Sequence, residues 1–203
     1  MSMKINTATS MIAENVFPQP IFAGTIELSA SQITELLKEI SRMELYNYNW
    51  GLSGWNENKD EIWNLTPMIQ RVSPLIVKQC HDAVTNHYNF PSIGNIMHIG
   101  NNQHYLEMRR CFPIILNPGH DFPYHQPPTL FSGITILSCT DQGHKVYTRN
   151  LGKSLHFQDK MKFWIPEVKQ QLFLPNTFDW GISSGNDQSQ TIALVSHIIM
   201  KRN

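Results

Sequence analysis

Apolar positions along this chain fall into two textures. Between Ser29 and Ile40, and again between Thr66 and Tyr88, they recur at helical spacing. Ser29 and Gln32 form a capping-box pair, and Ile33, Leu36, Leu37 and Ile40 then share one face, which predicts a helix with a core-facing stripe. Thr66-Pro67 is an N-cap followed by a first-turn proline, and Ile69, Val72, Ile76, Cys80 and Val84 follow at spacings of three and four. A second helix is therefore expected to run to Tyr88, kinked or restarted at Ser73-Pro74 because proline lacks the N–H that the turn needs.

From Ile93 onward the texture changes to short extended runs between turn signals. The runs are Gly94 to Ile99, Tyr105 to Leu116, Leu130 to Thr140, Lys145 to Asn150, Met161 to Ile165, Lys169 to Leu174, Phe178 to Ser183 and Thr191 to Met200. Asn101-Asn102, Asn117-Pro118-Gly119, Asp141-Gln142-Gly143, Asn150-Leu151-Gly152 and Ser184 to Asp187 punctuate them. Such runs predict a mainly β chain, a two-sheet jelly roll or double-stranded β-helix covered by two N-terminal helices. Phe17 to Leu28 reads as an extended segment, its start kept at a sheet edge by Pro18 and Pro20. The 203 residues form one domain: a polar arm over 1–15, a strand-plus-helices preface over 16–92 and a jelly-roll core over 93–203. No repeat, low-complexity stretch or long linker divides it.

Leu45 to Ile62 has neither period and reads as a loop with a short strand. Its aromatics, Tyr46, Tyr48, Trp50 and Trp55, with Trp63 beyond, have two readings. They plug the groove between helices and sheet, or they form a stacking platform for a sugar or base, which would make this a carbohydrate-binding jelly roll.

Hydrophobic residues make up 41% and charged residues 16%, so the chain is globular. Formal net charge is zero, which removes the basic field that a main nucleic-acid partner requires. Low charge with ten Phe, six Tyr and five Trp instead favours protein partners, as a homo-oligomer or in a larger assembly. Cys80, Cys111 and Cys139 are scattered, without a C-x-x-C, and read as reduced thiols in a reducing compartment. No secretory h-region and no run of about 18 apolar residues is present, so a cytoplasmic protein with no membrane partner is expected.

Candidate chemistry concentrates between Asn117 and Cys139. A Pro118-Gly119 turn opens this stretch, His125 sits mid-way, Pro127-Pro128 stiffens it, and an apolar run with Gly133 inside closes it. A histidine at the mouth of a jelly-roll strand suits a metal ligand or a substrate contact, and equally a plain hairpin rim. Asp121, His125 and His197 would make an unorthodox metal set, although His197 on the last strand has the commoner reading of a satisfied core histidine. His104 and Glu107 point to opposite faces of a strand, and His81 and His87 to different faces of a helix, so neither is a ligand pair. Gln142-Gly143-His144 reads as a hairpin tip without a phosphate-loop pattern.

Three segments carry a resemblance: Pro118-Gly119 with His125 and Leu130-Phe131-Ser132-Gly133-Ile134; Leu172-Phe173-Leu174-Pro175 with Trp180-Gly181-Ile182; and Val16 to Phe22 with Gly54-Trp55 downstream. Together they resemble the non-haem iron, 2-oxoglutarate-dependent oxygenases of the prolyl-hydroxylase-like group, including phage-type members. The resemblance implies a double-stranded β-helix and a site built from a His-x-Asp or His-x-His pair, a distant histidine, and a last-strand arginine that grips the 2-oxoglutarate carboxylate. Placed on this chain, the pair becomes His125-Gln126-Pro127, the distant histidine becomes Trp180, and the arginine becomes Thr191. Proline offers no side-chain donor and indole donates without ligating. His125, Pro127, Trp180 and Thr191 are therefore expected to mark a degenerate pocket in a non-catalytic protein, with no catalytic residue, metal or cofactor. Such a protein would act in structure or assembly, in the virion if phage-encoded. The alternative is a divergent hydroxylase that uses Fe(II) and 2-oxoglutarate through shifted ligands.

Overall fold

The last strand is the spine of the structure, a computed structural model that describes residues 11–14, 20–43, 46–47, 52–54, 66–88, 104–125, 129–139, 144–150, 162–183 and 190–202. This strand, β12 (Thr191–Arg202), lies between β5 (His104–Leu116) and β7 (Phe131–Ser138), antiparallel to both. Around it an eight-stranded sheet runs β1 (Ile12–Glu14), β2 (Ile21–Thr25), β10 (Gln170–Pro175), β7, β12, β5, β4 (Leu52–Gly54), β3 (Tyr46–Asn47). A four-stranded sheet runs β6 (Phe122–His125), β11 (Phe178–Ser183), β8 (Lys145–Asn150), β9 (Lys162–Trp164). Among the described residues, the chain alternates between the sheets from β5 to β12, with β8 and β9 the one successive pair in one sheet. That alternation is the winding of a double-stranded β-helix.

Two helices precede the core. In α1 (Ala30–Ile40) the Ser29 hydroxyl accepts from Gln32 N at 3.2 Å and Gln32 Oε1 accepts from Ser29 N at 2.8 Å, so the capping box is formed. Ile33, Leu36 and Ile40 are buried. The Glu39 carboxylate accepts from Met68 N at 3.1 Å, which ties α1 to the first turn of α2 (Pro67–Tyr88). Thr66 caps α2 through its hydroxyl, 3.2 Å from Ile69 N. Pro74 neither ends nor restarts this helix, contrary to the sequence expectation of a restart as one option. An interior proline costs about 3 kcal/mol. Val72, Ile76 and Cys80 are fully buried around it, and each large apolar side chain returns about 1.5–3 kcal/mol.

Register explains how α2 sits on the large sheet. One row of Cα partners crosses five strands: Phe22, Phe173, Gly133, Ser196, Cys111. Its ends meet α2, with the Phe22 ring 5.5 Å from His87 and the Cys111 thiol hydrogen-bonded to Ser73. Burial pushes the Cys111 thiol up to about 12 and Cys80 higher still, so both are inert thiols at neutral pH. The next inward-facing row is Ala23, Leu172, Ile134, Val195, Phe112.

Several expectations are refined. The predicted arm of 1–15 supplies edge strand β1 at Ile12–Glu14. The aromatic loop holds two short strands, β3 and β4, at the far edge. Strand β6 has no counterpart among the runs expected from sequence, because Pro123 inside four residues and Asp121 just before them look like turn chemistry. The run Gly94 to Ile99 and the aromatics Tyr48, Trp50, Trp55 and Trp63 lie outside the described residues. Among those residues no helix is long and apolar enough to cross a membrane.

Gly133 is the tight point of the α2-facing row. A Cβ placed there would stand 2.1 Å from Ser196 Oγ and 3.2 Å from Phe173 Cε1. Gly133→Ala is expected to destabilise the protein by about 1–3 kcal/mol. Combining it with Ser196→Ala removes the closer contact and should recover part of that loss in denaturant melts; an unchanged midpoint for the single variant would show the notch to be loose.

Candidate functional site

The small sheet presents two inward rows. Phe122, Ile182 and Val146 align with Trp164 in one, and Trp180 and Thr148 align in the other, with the backbone of His125 paired beside Trp180. Strand alternation puts Phe178, Trp180 and Ile182 on one face, and all three are buried. The register thus brings His125 directly opposite Trp180, although the two are 55 residues apart in sequence. The pairing shifts between Trp180 and Ile182, a local irregularity that lets the Phe122 ring lie against the indole. These rings stack with centroids 5.2 Å apart and an interplanar angle of 17°. Trp180 has no exposed surface, so the indole is core, wedged between β6 and β8. Thr148, also fully buried, flanks it on the other side, with its Oγ1 lacking a hydrogen-bond partner among the described residues.

Thr191 lies at the other end of this interior, the first residue of β12 and opposite Leu116. It has a side-chain partner. Its hydroxyl is 2.9 Å from His144 Nδ1. His144 Nε2 in turn lies 3.3 Å from Asn117 O and 3.2 Å from His120 O. Carbonyls only accept, so Nε2 carries the proton and, in the neutral ring, Nδ1 accepts from the Thr191 hydroxyl. The same turn is held again by Gln190 Nε2, which donates to Asn117 Oδ1 at 3.1 Å. Within the turn His120 N donates to Asn117 O, His120 Nδ1 contacts Pro118 O at 2.9 Å, and Gly119 takes φ 75°. The hairpin-tip histidine is therefore a buried clamp that joins the Pro-Gly turn, β8 and β12. A signal existed in the sequence: His144, Val146 and Thr148 alternate on one face.

The remaining site residues are dispersed. Asp121 is exposed before β6 in the small sheet, whereas His197 is 2% exposed in the large sheet, its ring edge-on to Phe112 at 5.4 Å. His125 has its strand position, and Pro127 lies outside the described residues. Among the described residues no three His, Cys, Asp or Glu side chains gather as a metal-holding group.

No protein-family model and no curated protein matches the sequence. Solved structures do match in fold. A 2OG-Fe(II) oxygenase family oxidoreductase from Burkholderia pseudomallei is 11% identical at TM-score 0.58, covering 85% of this chain and 79% of that one. A Pseudomonas putida prolyl-4-hydroxylase is 10% identical at TM-score 0.56, covering 87% and 91%. HygX from Streptomyces hygroscopicus, solved with nickel, 2-oxoglutarate and hygromycin B bound, is 7% identical at TM-score 0.57, covering 88% and 82%. Such identities carry architecture rather than activity. What this chain shares with the three is the double-stranded β-helix fold of 2OG-Fe(II) oxygenases.

Proposed function

We propose that this chain keeps the oxygenase scaffold, has lost iron and 2-oxoglutarate chemistry, and works as a binding or assembly protein through its outer surfaces. One observation carries the reading: a fully buried indole, stacked on Phe122, stands on the strand position opposite His125. An iron site there needs a nitrogen or oxygen donor, and Trp180 has none to give. Pro127 likewise contributes no donor at the position of the carboxylate or histidine in a His-x-Asp or His-x-His pair. Thr191 offers a hydroxyl already engaged by His144 where a 2-oxoglutarate carboxylate would need a cationic fork. The residues at these positions do not fit iron or 2-oxoglutarate. The proposed setting is a homo-oligomer or a larger protein assembly, cytoplasmic or, for a phage-encoded chain, the virion. Nucleic acid and membrane are not the main partners in this reading.

Iron titration of the purified protein, with and without 2-oxoglutarate, tests this. The expected result is no stoichiometric metal, and no change in stability or self-association on His125→Ala. Stoichiometric iron tightened by 2-oxoglutarate would instead establish a divergent hydroxylase. Trp180→Ala is expected to cost about 3–5 kcal/mol, the range for emptying a large aromatic site; a loss below about 1 kcal/mol in equilibrium unfolding would show the indole to be dispensable filling. Thr191→Val leaves His144 Nδ1 buried without its donor and should cost about 1–3 kcal/mol. Faster amide exchange over the Asn117–His120 turn should accompany that loss, and unchanged exchange there would count against the clamp.

A further inference from the structure

Pairing between β12 and β7 ends at Ile198 and Phe131, but β12 and β5 continue together from Ile198–Met108 to Arg202–His104. Among the described residues this end is a two-stranded ribbon. Its composition is basic. Over His104–Arg110 and Ile198–Arg202 stand Arg109, Arg110, Lys201 and Arg202 against one acid, Glu107. The ribbon therefore carries +3 with histidine neutral, and the remainder of a chain of net zero carries −3. Leu106 and Met108 are buried, which turns Tyr105, Glu107 and Arg109 to the other face. Tyr105, 41% exposed, stands directly opposite Lys201. Lys201 Nζ contacts both Glu107 oxygens, at 2.9 and 2.7 Å. Arg109 is the extra residue of a register shift between the His197–Arg110 and Ile198–Met108 pairs, and it is exposed.

Two recognition modes compete at such an end. The outer edge of β5 from His104 to Pro113 has no described strand beside it, since β4 pairs only with Ile114–Leu116. Strand addition there is opposed by the irregularity at Arg109 and by Pro113, both of which interrupt a ladder. Side-chain recognition is left. A nucleic acid would ask for a longer run of unpaired cations and several stacking rings. Tyr105 is the one exposed aromatic of the ribbon, and Lys201 is already engaged by Glu107. An exposed guanidinium and an exposed tyrosine four residues apart on one strand suit a segment with a few carboxylates among apolar side chains.

We propose that the ribbon of His104–Arg110 and Ile198–Arg202 is the docking surface for an acidic polypeptide segment of an assembly partner, with Arg109 as carboxylate anchor and Tyr105 as apolar contact. This deepens the binding role argued above and rests on it. The full chain would be titrated with fluorescently labelled poly-L-glutamate and, in parallel, with oligo-dT at low salt. Polyglutamate binding is expected, weakened about tenfold by Arg109→Glu and a few-fold by Tyr105→Ala. Lys78→Gln, an exposed change on α2, should leave it unaltered. Arg109→Gln serves where charge reversal harms folding, as checked by circular dichroism. Equal binding by all variants, no polyglutamate binding, or tighter binding of oligo-dT would each overturn the proposal. Iron binding in the separate titration would overturn the non-catalytic reading, whereas failure of polyglutamate with no iron bound would remove only the ribbon.

Discussion

The pairing of β12 between β5 and β7 is the constraint on which the rest depends. Its first residue, Thr191, reaches His144; its middle residue, Ser196, lies over the Gly133 notch; its last residues leave β7 and form the ribbon with β5. Side chains alternate along a strand, so a slip of one residue would turn each of these to the opposite face. The notch makes that slip costly. Ser196 Oγ fits only because Gly133 has no Cβ, and the bulky Phe173 fixes the other side of the same row. The row then continues to Cys111 and Ser73, so the same register that closes the core also seats α2.

Much of this architecture was legible in the amino-acid order. The Ser29–Gln32 box and the Thr66-Pro67 start mark both helices at the residues where they begin, because capping is a local interaction. The long strands were equally plain. Strand β6 was not, since four residues containing Pro123 carry no usable period, and its identity depends on pairing with β11. Pro74 leaves α2 unbroken to Tyr88, because a local rule against proline in a helix yields to the buried residues packed around it. The site was legible only in part. Resemblance supplied Trp180 and Thr191, but nothing local in the sequence ties Thr191 to a histidine 47 residues earlier. That contact is a product of register, and register is set by the whole sheet.

On the proposed non-catalytic reading, the interior has changed coherently rather than been damaged. A barrel that lost ligands without compensation would enclose a polar void, with a penalty that grows with cavity volume. Here the apolar half of the space is filled by an indole stacked on a phenyl ring, and the polar half by a threonine and a histidine that satisfy each other. The histidine then spends its other nitrogen on two turn carbonyls that would otherwise face the core. Each replacement meets a physical need of the fold itself, without calling on a bound group. Not every buried polar group is satisfied in this way: the hydroxyls of Thr129, Thr148 and Ser196 have no hydrogen-bond partner among the described residues.

On that reading, recognition belongs to the outer surface. With 16% charged residues and no net charge, the surface offers few features on which a partner could discriminate. The ribbon is one place where charge departs from that neutrality, and it is also where the two longest strands outrun the sheet that stabilises them. Charge on an edge has a protective role by itself, since it discourages unwanted strand pairing. Protection alone, however, gives no reason for an exposed tyrosine beside the cations, because an aromatic ring on an edge invites the contacts that charge is there to prevent. On the proposed docking role, a partner that supplies the opposite charge and covers the ring accounts for a cationic and aromatic ribbon at the end of the two-sheet core.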